Sequence, residues 1–125
     1  MRTTNPSATV RENMSSEEKF QNQTLRPIIK LQNDLWVEVF KNYIQKHKNV
    51  FYEMDIKKRL AYIENSLQKD IKFRNSLKGM VIGQFTHGEY QAYIKNSSAL
   101  NKRMMHLVKE RIQNNIQLLD PMHLV

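Results

Sequence analysis

Apolar residues recur at helical spacing along most of the chain. Ile28, Leu31, Leu35, Trp36, Val39, Phe40 and Tyr43 fall on one broad face, with Lys30, Asp34, Glu38, Lys41 and Gln45 opposite. This predicts a first helix over 25–46, opened by Pro27, whose missing N–H is harmless in a first turn. The aromatic stripe around Trp36 reads as core rather than as a platform for bases. His47 to Tyr52 form a connector whose rings tuck against the fold. A second helix is expected over 55–69, capped by Asp55, with Ile56, Leu60, Ile63 and Leu67 in a narrow stripe. Extending that stripe would carry Arg74 and Lys78 into the core, so the phase must shift near Asp70. A third helix then covers 71–82, built on Phe73, Leu77, Met80 and Val81.

Thr86-His87-Gly88-Glu89 has the form of a capping box and opens a short helix carrying Tyr90 and Tyr93. Asn96-Ser97-Ser98 interrupts it, because such side chains compete for backbone hydrogen bonds. The last helix is expected over 98–119, with Leu100, Met104, Leu107, Val108, Ile112, Ile116 and Leu119 on one side, and Asp120-Pro121 stops it. Residues 1–22 are polar without a period and read as a flexible tail ahead of a helical domain over 23–125. Met14 offers a second start, which would make residues 1–13 an extension. The expected fold is all-α: an antiparallel helical bundle of four main helices plus one short helix.

All three glycines, Gly79, Gly83 and Gly88, lie between Lys78 and Tyr90. They mark a hinge where one helix ends near Gly83 and the next begins at Thr86. A phosphate-binding glycine loop does not fit. No strand precedes the stretch, the glycine spacing is wrong and no Lys-Ser/Thr pair follows.

Composition narrows the chemistry. With no Cys there is no disulfide, thiol nucleophile or zinc–thiolate site. No apolar run approaches the roughly 20 residues that span a bilayer, and the N-terminus lacks the apolar core of a secretory signal. A cytoplasmic protein without a membrane partner is the expectation. The histidines are His47, His87, His106 and His123, and no two share the i, i+4 spacing of a helical metal pair. His87 and Glu89 would give two ligands without an evident third, and no nucleophile elbow is present. No catalytic residue, metal site or cofactor is therefore assigned.

Charge is the strongest remaining signal. The formal net charge is +8; residues 1–56 hold 8 Lys/Arg against 7 Asp/Glu, and residues 57–125 hold 12 against 5. On the third helix Lys72, Arg74 and Lys78 (with Lys69 just before it) are basic, as are Lys102, Arg103 and Lys109 on the last (with Lys95 ahead of it). Adjacent faces would make a patch able to hold phosphates, though no base-reading motif accompanies it. Arg111 falls inside the apolar arc of the last helix. It reads as an anion-binding position or as one half of an ion pair, within the chain or across a subunit interface.

The run Lys69-Asp70-Ile71-Lys72-Phe73-Arg74-Asn75-Ser76-Leu77-Lys78-Gly79, with Gln84-Phe85-Thr86 after it, resembles short uncharacterised helical bacterial proteins. Some of those carry a glyoxalase label. The resemblance covers about residues 25–119 and implies a helical fold. Glyoxalases use paired βαβββ modules with His and Glu metal ligands on strands, which this sequence does not show, so that activity does not carry over.

The sequence thus points to a small helical binding or assembly module without catalysis. Its partner is a protein or a second copy of the chain, with a two-fold dimer favoured because Val37, Ile44, Met105 and Ile112 widen the apolar arcs. Non-specific nucleic-acid binding through the basic second half is the alternative. A small enzyme with a site near Gly83–Glu89 is the third reading.

Overall fold

A computed structural model of the chain describes residues 15–121. Within them every regular element is helical and no strand occurs, as the 3.6-residue period of the apolar positions requires. The N-terminal run comprises α1 (Ser16–Phe20), a π-helical turn (Gln21–Leu25), α2 (Arg26–Leu31) and α3 (Asn33–Lys46). A 3-10 turn (Val50–Glu53) leads to α4 (Ile56–Lys69), followed by α5 (Ile71–Ile82), α6 (His87–Ile94), α7 (Ser97–Asn114) and a closing 3-10 turn (Ile116–Leu119).

The expected tail is overturned from Ser16 onward. Ser15 accepts the amide of Glu18 at 3.2 Å and its hydroxyl reaches back to the Glu18 carboxylate at 3.4 Å, so a helix starts there. Phe20 and Leu25 join the apolar interior. Pro27 stands in the first turn of α2, as expected, but α2 continues directly from the π-helical turn before it. Its ring cannot donate to the carbonyl of residue 23 and would crowd it. The π-helical turn just before it, where the Arg26 amide bonds the Gln21 carbonyl, widens the coil at that point. The proposed extension over residues 1–13 lies outside the described residues.

Local chemistry sets the other boundaries. Asp55 accepts the Lys58 amide at 2.9 Å and starts α4. Asp70 has extended backbone and accepts the Phe73 amide at 3.1 Å, which makes the phase break between α4 and α5. Thr86 and Glu89 form the reciprocal capping box at α6. Asn96 breaks the chain before α7 without capping it by its side chain. The last α-helix ends at Asn114, five residues short of expectation: Asn115, at φ −101° and ψ 20°, leaves the helix, its Nδ2 donates to the Arg111 carbonyl, and a 3-10 turn follows.

The core centres on Trp36, Phe40 and Ile44 of α3, Phe51, Ile63, Leu77 and the Leu100–Ile112 face of α7. Trp36 is fully buried and its indole N–H donates to the Ile29 carbonyl at 3.0 Å. Phe40, Tyr43, Phe51, Tyr62 and Phe73 form one ring cluster; Phe20, Phe85 and Tyr93 form another. Each large side chain so buried contributes about 1.5–3 kcal/mol. Leu31, Leu35, Ile56 and Leu60, expected in the core, are instead exposed. Conversely Val37, Ile44 and Ile112, read as surplus for a dimer, are covered within the chain, and Met105 is partly covered. The bundle is not antiparallel throughout. α4 and α7 run in opposite senses, joined through Glu64–Lys109 and Leu60–Gln113. The N-terminal run lies along α7 in the same sense, through Gln21–Arg103 and Asn33–Asn115.

The helix boundaries in the glycine stretch fall where expected, α5 ending with Gly83 as its C-cap and Thr86 capping α6, but no left-handed glycine makes the bend. No glycine among the described residues has positive φ; Gly83 ends α5 at φ −59°. Gly79 lies inside α5 and Gly88 inside the first turn of α6. The bend comes from the α5 end and the Thr86 cap. The left-handed residues are Lys48 and Asn49, at φ 63° and 59°, where α3 gives way to the connector.

Candidate anion-binding groove

Helical spacing aims two sets of cations at one another. Arg74 and Lys78 are four residues apart and share a face of α5; Lys102, Met105 and Lys109 share a face of α7. Between those faces and α4 lies an open groove of about 440 Å³, with Arg74, Lys78, Lys102, Lys109, Glu64 and Gln68 on its walls. Lys109 reaches Glu64 at 3.3 Å. Among the described residues Glu64 is the one carboxylate of the groove wall, and Arg74, Lys78 and Lys102 have no ion pair. The Arg74 Nε is buried with no hydrogen-bond partner, and its Nη1 reaches the Gln68 carbonyl only at 3.5 Å. An unmet buried donor of this kind is costly until an acceptor arrives.

A second, shallower groove flanks the start of α7, and Arg103, Glu17, Gln21 and Asn96 lie on it. The two share Ser98, Lys102 and His106, so they form one track over the N-terminal half of α7. His106 pairs with Glu110 along the helix.

Of the residues singled out by sequence, Arg74, Lys78, Lys102 and Lys109 come together in the first groove, and Arg103 lies in the second. Lys72 stands exposed on α5, on neither groove. Arg111 is half-buried and also lines neither groove. Of the acids on the neighbouring helices, Glu38 is engaged with Lys41, and Asp70 with Tyr43 and the α5 cap. Sequence reasoning did not find Glu17, Gln21, Glu64 or Gln68. Glu64 and Gln68 flank the α4 stripe at i, i+4 and were open to discovery by that spacing.

In the Gly83–Glu89 stretch the capping box engages Glu89. One Glu89 oxygen accepts the Thr86 amide at 2.8 Å and the other accepts the Thr24 hydroxyl at 3.3 Å, so the carboxylate is held in a structural role. His87 is exposed and lines neither groove. Among the described residues no three His, Asp or Glu side chains converge to hold a metal, and no helix is long and apolar enough to cross a membrane. No protein family, curated protein or solved structure matches the chain.

Proposed function

We propose that the protein is a small non-catalytic binding module that holds the phosphate backbone of nucleic acid in the groove between α4, α5 and α7. The observation that carries this reading is the convergence of Arg74, Lys78, Lys102 and Lys109 on one concave surface, with Glu64 as its one acid among the described residues. A phosphate there gives the buried Arg74 Nε an acceptor and meets lysines that have room to turn toward it. Among the described residues no Phe, Tyr or Trp lines the groove, and its one ring, His106, is engaged with Glu110, so it offers no free platform on which bases stack. Recognition is therefore of the backbone and independent of sequence.

Fluorescence anisotropy with labelled DNA and RNA of mixed sequence, over a range of salt, tests it. Affinity should fall linearly on a log–log plot as counterions are retaken, at similar values for unrelated sequences. Absence of binding at low salt rejects the reading. Equal binding and an equal salt slope for polyglutamate would reject it in favour of an acidic protein partner.

A second reading, self-association, is supported by apolar side chains left open around the closing 3-10 turn. Leu118 is 42% exposed; Leu31 and Leu35 flank Asn33, which bonds Asn115; Leu60 adjoins Gln113. These present on the order of a few hundred Å², below the roughly 800 Å² per partner of a stable interface, so the dimer is weak. Light scattering checks it: mass should rise above 14.9 kDa only as concentration increases.

A further inference from the structure

The charge on the second groove is answered from within the chain. Glu17 of α1 lies 3.7 Å from the Arg103 guanidinium, and Asn96 Nδ2 donates to its other oxygen at 2.6 Å. Arg103 Nη1 donates to Gln21 at 3.0 Å. Glu17 and Arg103 are about a third exposed, at 35% and 31% of their side-chain surface, and the ion pair is loose. Pairs of this geometry are weak because water screens them. The carboxylate belongs to a helix of five residues with no buried side chain of its own. It sits at the end of the track whose other end holds Arg74 and Lys78, which have no ion pair among the described residues.

We infer that Glu17 occupies a second anion subsite, formed by Arg103 and Asn96, and that a phosphate of the bound nucleic acid displaces it. The inference rests on the reading of the first groove given above. Lys102, shared by both grooves, bridges the two subsites, so a backbone lying in the first continues over Lys102 toward Arg103. A phosphate can meet the guanidinium through two oxygens and so outcompetes a carboxylate held at 3.7 Å. Glu17 thereby lowers affinity for weak or short anions and sets a threshold that a continuous polyanion exceeds.

Four forms of the full chain test this against the same labelled RNA at fixed salt. Glu17→Gln keeps the shape and the acceptor for Asn96 while removing the competing charge. It should bind about three- to fivefold more tightly than the unaltered chain. Glu53→Gln makes the same change of net charge at an exposed residue on neither groove and should leave affinity nearly unchanged. Arg103→Ala combined with Glu17→Gln should abolish the gain. If the unaltered chain binds and Glu17→Gln matches it, or Glu53→Gln gains as much, displacement is rejected and the first groove stands. If neither the unaltered chain nor Glu17→Gln binds, both readings fall.

Discussion

The Tyr43 hydroxyl donates to Asp70 at 2.9 Å, tying the end of α3 to the joint between α4 and α5. The other Asp70 oxygen holds the first turn of α5 through the Phe73 amide. One carboxylate therefore fixes both the angle and the start of the helix that carries Arg74 and Lys78. His47 stacks on Tyr43 with ring centres 4.0 Å apart.

That relationship has a pH signature. Burial, and then the Asp70 bond, push the Tyr43 phenol up to about 12 from 10.0. A raised folded value means the contribution is complete below pH 10 and is lost as pH climbs through about 12. The Phe73 amide, and then Tyr43, lower the Asp70 carboxyl below its ordinary 3.8. Its contribution is present above that value and is lost as pH falls through the lower folded one. Melting temperature should thus decline in both directions. Tyr43→Phe should flatten the alkaline limb, read by circular dichroism, and remove a late-titrating tyrosine from the absorbance at 295 nm. An unchanged alkaline limb would refute the assignment.

Gly79 and Gly83 should respond in opposite directions. A Cβ on Gly79 meets nothing within 4 Å, and the residue lies within α5. Gly79→Ala should therefore stabilise by about 0.5–1 kcal/mol through helix propensity. A Cβ on Gly83 would lie 3.1 Å from the Gly79 carbonyl oxygen, which is backbone and cannot swing away. Gly83→Val adds a branched side chain to that contact and should cost about 1–2 kcal/mol. Urea unfolding of the two variants decides the matter.

Lys48 is exposed and holds a left-handed backbone at φ 63°, which an L side chain disfavours. Lys48→Gly should raise stability by roughly 0.5–1 kcal/mol, the strain relieved exceeding the added freedom of the unfolded chain. Asn42→Gly, exposed inside α3, should do the reverse. A rise in the urea midpoint for the first and a fall for the second is the expected result.

What was legible in the sequence was local. Asp55 and Thr86 announced their helix starts because capping depends on residues three apart, and the shift in apolar phase announced the break at Asp70. Trp36 announced the core because its stripe was wide. The start at Ser15 was hidden, since Gln21, Asn22 and Gln23 interrupt the apolar period where the π-helical turn widens the coil. Leu31, Leu35 and Leu60 were misplaced because periodicity defines an arc and not which part of it a neighbour covers. The basic residues were visible, but their convergence was not. Whether Arg74 faces Lys102 depends on the angle between α5 and α7, which no single helix encodes. The left-handed Lys48 carried no signal, because glycine is the usual mark of such a position.

Lys102 offers the sharpest test of the groove, since it alone among the lysines stands on both stretches of the track. It is exposed and without an ion pair among the described residues, so its removal leaves no buried charge stranded. Lys102→Ala should leave the melting temperature within a degree or two while weakening binding equally for unrelated DNA and RNA sequences. The salt slope should become shallower by about one, the loss of a single phosphate contact. Lys41, which pairs with Glu38 on α3 and lies on neither groove, is the control. Lys41→Ala removes the same charge from the protein, so a general electrostatic attraction would weaken alike in both variants. A groove-bound backbone predicts a change of slope for Lys102→Ala alone, and equal slopes would place the contacts elsewhere on the surface.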